Sequence, residues 1–251
     1  MLHSLIYSAS TETGLVRKNN QDAFYTSPEY GLVVVADGMG GHKGGEIASD
    51  IAVRAIAENL EQQQWDDNSD EMQILLKLGA AVEAANQMIR QQALSSSELS
   101  GMGTTVVVAL FILGRVFLAH VGDSRIYRFR DNRLEQLTRD HSLVQQLIDS
   151  GTFLNVEEAE AAGIRTNVLT RGLGIEDQAE VDVSNELLQP DDLFLFCTDG
   201  LTAMLRDGDL ERLLRHYQDD LDTAVERLVV GAMSAGGLDN ITVVLALSLI
   251  H

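Results

Sequence analysis

The sequence predicts an α+β fold in which antiparallel sheets pack together and helices cover the outside. Three observations carry this. Short apolar runs end on turn pairs, the pattern of strands covered on both faces. The strand-like segments follow one another without regular strand–helix alternation, which argues against a parallel sheet. Amphipathic stripes at helical spacing lie between and after them.

The elements read in chain order as follows. Residues 23–25 are strand-like and follow Asn20-Gln21-Asp22. The run 32–36 (LVVVA) is a buried strand that stops at Asp37-Gly38. A helix over 45–60 places Ala48, Ile51, Ala52, Ala55 and Ile56 on one face. A second helix follows Ser69, its N-cap, with apolar residues at 75, 78, 82, 85 and 89. Four strands, 104–113, 116–121, 125–130 and 133–138, are separated by Gly114-Arg115, Gly122-Asp123 and Asp131-Asn132. They read as one antiparallel meander. Residues 140–178 are polar and weakly periodic, with Gly151, Gly163, Gly172 and Gly174. This stretch reads as an irregular insertion with short helices, a flap beside a site. Residues 193–197 (LFLFC) and 241–250 are further buried strands, and Leu221, Val225, Leu228 and Ala232 mark a third helix.

Composition narrows the function classes. Eighteen Lys and Arg against 38 Asp and Glu give a formal net charge of −20. That balance argues against non-specific binding to nucleic acid or to anionic lipid, since both need basic patches. Hydrophobic residues at 45% are too many for a disordered acidic tail. The longest apolar run, 106–113, is far short of the roughly 20 residues of a membrane span. The N-terminus lacks the pattern of a secretory signal, so the expected location is the cytoplasm. One cysteine, Cys197, excludes an intrachain disulfide and a cysteine-based zinc site.

Aspartate recurs at the strand ends. Asp37 follows LVVVA, Asp123 follows VFLAHVG, and Asp199 follows LFLFCT. Asp239 lies directly before the last strand, and Asp22 precedes the strand-like 23–25. Any one of these fits plain turn chemistry. Five together, if they converge, would repel one another unless cations sat between them. An oxygen-only set suits Mg²⁺ or Mn²⁺ and not Zn²⁺.

The segment DGMGGHKGGE (37–46) holds five glycines in ten residues. It reads either as a phosphate cradle or as a tight chain path that lets a backbone carbonyl approach a cation. Lys43 stands where a dinucleotide fingerprint needs its third glycine, and His42 where Walker A needs one. Arg17, five residues before Asp22, is either a bidentate grip for phosphate or a solvated surface residue. Cys197 has Ala203 where a cysteine phosphatase loop needs Arg. Neither H-E-x-x-H nor G-x-S-x-G occurs.

Taken in order, seven segments carry a resemblance. They are GLVRKNNQD (14–22), VVVADGMGGHKGGEIAS (33–49), GMGTT (101–105), AHVGDSRIYRFRDNRLEQLTRDHS (119–142), NVLTRGLG (167–174), LFLFCTDGL (193–201) and DNITVV (239–244). Together they resemble the metal-dependent, type 2C serine/threonine protein phosphatases in their bacterial branch. The resemblance implies a four-layer α-β-β-α sandwich, two antiparallel sheets flanked by helices, formed by residues 1–251 as a single domain with a flap at about 140–178. It implies Asp37 as the carboxylate bridging two metals, with Asp199 and Asp239 completing the first site. Asp22 and the Gly38 carbonyl would serve the second. Asp123 with Asp199 would hold a third, weaker ion, and Arg17 would bind the substrate phosphate.

The implied cofactors are Mg²⁺ or Mn²⁺. The implied reaction is hydrolysis of phosphoserine or phosphothreonine by a metal-bridged water, without a phosphoenzyme. Many eukaryotic relatives carry a His directly after the Asp-Gly pair; here Met39 stands there and His42 comes later. His42 either protonates the leaving group or orients water or the loop. The expected partners are phosphorylated proteins, in opposition to Ser/Thr kinases, and the expected state is a monomer. A catalytically silent module on the same fold and a nucleotide-binding protein are the competing readings.

Overall fold

The computed structural model describes residues 5–41, 43–66 and 69–249. The strands are β1 (Leu5–Glu12), β2 (Asp22–Ser27), β3 (Leu32–Met39), β4 (Gly103–Thr104), β5 (Val106–Ile112), β6 (Arg115–Val121), β7 (Arg125–Arg130), β8 (Arg133–Gln136), β9 (Asp182–Leu187), β10 (Leu193–Cys197) and β11 (Ile241–Ser248). The helices are α1 (Gly44–Glu61), α2 (Glu71–Leu94), α3 (Leu143–Asp149), α4 (Val156–Ala161), α5 (Asp199–Thr202), α6 (Asp207–Tyr217) and α7 (Leu221–Ser234).

Two antiparallel sheets result. One runs β2-β3-β5-β6-β9, with β4 beside β3, and the other β1-β11-β10-β7-β8. The continuous apolar runs explain how the sheets stack. In β3, Val33 and Val35 face the other sheet, while Leu32, Val34 and Ala36 face α1 and α2. In β10, Phe194 and Phe196 meet the first sheet, and Leu193, Leu195 and Cys197 meet the opposite helices. The period of two thus feeds a central core and a helix-side core from one strand. Phe111 and Phe194 close the central layer edge to face, with ring centroids 5.2 Å apart. The layers run helix, sheet, sheet, helix, as expected.

The single meander is corrected. β5 pairs with β6 and β7 with β8, but the two hairpins belong to different sheets. The chain changes sheet at residues 122–124. Gly122 adopts φ +106°, and a Cβ there would fall 2.6 Å from the Thr105 Cβ. Hairpin signals give the turn and register of each pair but not the sheet it joins. Ser69 is also corrected: Asp70 is the cap residue of α2, and the Ser69 hydroxyl instead accepts the Asp66 N–H at 3.0 Å. β11 ends at Ser248, and Ile250 lies outside the described residues.

The segment 140–178 carries only the short α3 and α4. Its two arms meet through a Ser142–Leu169 bridge and hydrogen bonds from Leu143 N–H to Val168 O and from Thr170 N–H to His141 O, both 2.8 Å. The returning arm is pinned to the first sheet by a Thr104–Leu173 bridge. Among the described residues, no helix is long and apolar enough to cross a membrane.

Candidate metal centre

One end of the sandwich collects the aspartates. Pairing of β2 with β3 sets Asp22 opposite Asp37. β10 delivers Asp199 at the start of α5, and Asp239 lies just before β11, its neighbour in the second sheet. The sheet-switching turn supplies Asp123. The carboxylates of Asp22, Asp123 and Asp199 all act on Asp37, and Asp239 acts on Asp22 and Asp199. The structure therefore brings all five together.

Their electrostatics follow from burial. Desolvation, then the charges of Asp22, Asp199 and Asp123, holds the Asp37 carboxyl well above the ordinary range. Burial likewise pushes Asp22 up to about 7, although Thr242 and Thr198 donate hydroxyl hydrogen bonds to its Oδ2 at 2.7 and 2.9 Å. Asp123 is raised to about 7 by burial, with Asp199 and Asp140 adding repulsion. Asp199 is raised by burial and by Asp239, and a hydrogen bond with Asp37 opposes this. Asp22 Oδ1 and Asp199 Oδ1 are buried without a hydrogen-bond partner.

Orphaned carboxylate oxygens in an acidic cluster are what a hard divalent cation would satisfy. The donor set is oxygen only, so the residues fit Mg²⁺ or Mn²⁺.

Arg17 lies at the rim. Its Nη2 donates to Asp239 Oδ2 at 2.6 Å, and this hydrogen bond is the main reason its pKa is raised, with Asp37 and Asp199 contributing. Its side chain keeps about half of its surface in solvent. Gly38 belongs to a backbone crossing. A Cβ there would run into the Gly45 carbonyl oxygen, and one at Gly45 would lie 2.6 Å from Gly38 O. The glycine-rich segment thus provides a close strand–helix approach. His42 lies outside the described residues. Met39 pairs with Gly103 and lies against Gly172 of the returning arm.

Several residues of this region escaped sequence reasoning. Thr198 and Thr242 hold Asp22. Thr105 Oγ1 accepts the Asp37 N–H at 3.1 Å and hydrogen-bonds Ser124 Oγ at 2.7 Å, joining β3 to the turn of Asp123. Asn240 accepts the Gln21 N–H at 2.8 Å and donates to Thr13 O and Asn19 O, which fixes the segment holding Arg17. Its place beside Asp239, inside DNIT, was the available signal. Arg125 forks onto Asp140 (Nε–Oδ1 2.9 Å, Nη2–Oδ2 2.7 Å) behind Asp123.

A second group, His120, His141 and Asp182, brings its candidate ligand atoms within 4.8 Å of one another. The Arg171 guanidinium already stands there, with Nη1 3.0 Å from Asp182 Oδ1.

The family pattern described as Protein phosphatase 2C matches residues 16–230. The chain belongs to the protein phosphatase 2C family. A serine/threonine phosphatase, stp, of Listeria welshimeri is 37% identical over 238 residues, covering 94% of this chain and 92% of that protein. The crystal structure of the Mycobacterium tuberculosis serine/threonine phosphatase PstP/Ppp matches with a TM-score of 0.87 at 38% identity, covering 98% of this chain and 99% of that one. The PstP catalytic domain in complex with two manganese ions matches at 0.85 and 36% identity, with coverage of 98% and 99%. As a protein phosphatase 2C, this chain is a phosphoprotein phosphatase, and its two antiparallel sheets flanked by helices are those of its relatives.

Proposed function

We propose that the chain is a serine/threonine protein phosphatase that hydrolyses phosphoserine and phosphothreonine in proteins by direct attack of water on phosphorus. The carrying observation is the cluster of five aspartates, two with orphaned buried oxygens, beside Arg17. Asp37, Asp199 and Asp239 would hold one Mn²⁺ or Mg²⁺; Asp37, Asp22 and the Gly38 carbonyl would hold a second. Asp123 with Asp199 would take a third, weaker one. When bound, such cations acidify water near neutral pH and neutralise phosphoryl oxygens. Arg17, at the rim beside Asp239, would grip the phosphate dianion with its guanidinium fork.

The leaving Ser or Thr oxygen needs a proton, and His42 is assigned to supply it. A phosphopeptide should then lose more rate in His42→Ala than an aryl phosphate, whose leaving group needs no proton. No protein nucleophile is required. Cys197 is fully buried, and its thiol is pushed up to about 12. Residues 1–251 act as one catalytic domain, with 140–178 as its flap.

The test is phosphopeptide hydrolysis with and without EDTA, followed by Mn²⁺ repletion. Loss on chelation and recovery with Mn²⁺ are expected. Turnover that survives complete chelation would overturn the reading.

A further inference from the structure

The two arms of the 140–178 segment meet on a hydrogen-bond chain that ends at the turn carrying Asp123. His141 Nδ1 accepts the Gly122 N–H at 3.1 Å. The ring proton therefore sits on Nε2 and is donated to Asp182 Oδ2 at 3.3 Å. Asp182 Oδ1 accepts from Arg171 Nη1 at 3.0 Å, and Arg171 Nε pairs with Glu180 at 2.8 Å. Arg171 Nη1 is also 3.0 Å from His141 Nε2, but two N–H groups face each other there, so the guanidinium is anchored through Asp182.

His141 is buried and stacked on His120, with ring centroids 4.7 Å apart. Burial lowers the pKa of both rings, which favours their neutral forms. The chain continues beyond the turn through Ser124 and Thr105 to the Asp37 N–H. Arg171 also lines a surface cavity of about 510 Å³ formed by Val121, Thr170, Gly172 and residues 176–180.

The ends of this chain differ in kind. Gly122 is buried, and its N–H has His141 as its acceptor. Arg171 is about one third exposed and holds partners that solvent or a ligand can compete for. One end fixes backbone and the other can move.

We propose that His141 is a positioning residue. It ties the Gly122–Asp123–Ser124 turn to the stem of the 140–178 segment, and so sets how well Asp123 and Asp199 together bind the third cation. This rests on the phosphatase reading for the role of Asp123; the hydrogen-bond chain does not.

The test uses the full chain. Mn²⁺ binding is measured calorimetrically for wild type, Asp123→Asn, His141→Leu and His141→Asn, and exchange of the Gly122 amide is followed in EDTA. Asn keeps an acceptor near the place of Nδ1 but loses the reach to Asp182; Leu loses both. In His141→Leu the weakest Mn²⁺ step should weaken about tenfold with the tighter steps unchanged, and Gly122 exchange should accelerate. His141→Asn should recover both toward wild type.

A weakest step within twofold of wild type in His141→Leu, with Asp123→Asn clearly impaired, overturns the role of His141 alone. Equal weakening of every step in His141→Leu makes the residue merely structural and also overturns it. If Asp123→Asn alters no Mn²⁺ step, the assignment of Asp123 falls, and the role given to His141 falls with it.

Discussion

The two ends of β10 each carry an aspartate with a buried carboxylate oxygen, and they are treated in opposite ways. Asp192, just before the strand, has no solvent exposure. Arg130 grips it with Nε and Nη2, both at 2.6 Å, and the Gln189 N–H adds a third bond at 2.7 Å. Asp199, just after the strand, is raised by burial and by Asp239, and its Oδ1 has no partner. The strand between them is apolar throughout. Burial of a carboxylate therefore does not mark a site. What marks it is a buried carboxylate oxygen to which the fold gives no direct partner, since an unsatisfied buried oxygen is costly unless something else binds there.

The largest effect expected from this contrast is at Asp37. Asp37→Ala should lower phosphopeptide kcat by at least about 10³-fold, the scale of losing the cations' charge stabilisation. The folded state should survive, because the side chain removed is one the others repel. Single-turnover assays with a melting curve in EDTA check both halves. Loss of activity only in proportion to loss of folded protein would break the distinction between the two ends of β10.

At the opposite end the order of effects should invert. Arg130→Met leaves Asp192 buried and unpaired, a change worth about 3–5 kcal/mol. For a chain of this size that lowers Tm by about 10 °C. The kcat of the protein still folded, and its Mn²⁺ affinity, should stay within about twofold of wild type. A fall in kcat at unchanged Tm would mean that the Arg130–Asp192 pair serves the chemistry instead of the fold.

How much of this contrast the sequence displays depends on the distance between partners. β3, β5, β10 and β11 are legible because nearly every residue is buried, so each gives an uninterrupted apolar run. β1 and β9 are edge strands with mostly polar or exposed residues, and they give no run at all. α6 escapes because its stripe is narrow, with Leu210 and Leu214 buried among charges. The aspartates are legible because each adjoins an apolar run. Their supports are not. Thr198 and Thr242 meet Asp22 across 176 and 220 residues, and His141 meets Asp182 across 41. Side-chain hydrogen bonds have no period, so the sequence carries no local trace of them.

A smaller effect sharpens the comparison at Asp199 itself. Asp199→Asn removes one charge from a cluster whose members raise one another's pKa. In EDTA the variant should melt a few degrees above wild type, about 1–2 kcal/mol, while losing Mn²⁺ affinity and turnover. Melting and calorimetry on the same preparations decide it. A variant less stable than wild type without metal would show that Asp199 also has a structural role.

The smallest expected effect is a slope. Asp123 has a folded-state pKa of about 7 against 3.8 for an unperturbed carboxyl. Between those values the folded, metal-free protein keeps a proton that the unfolded chain has released. Stability from this group is complete below about pH 4, falls as pH rises, and is gone above about 7. Asp123→Asn cannot titrate there. The difference in Tm between wild type and Asp123→Asn, measured in EDTA, should therefore shift against wild type from pH 4 to 7 and then flatten. Saturating Mn²⁺ should reverse the trend in wild type, because cation binding needs the carboxylate and strengthens as protons leave. Parallel curves in EDTA would show that Asp123 titrates like an exposed carboxyl. Its part in the cluster would then be no different from that of any surface acid.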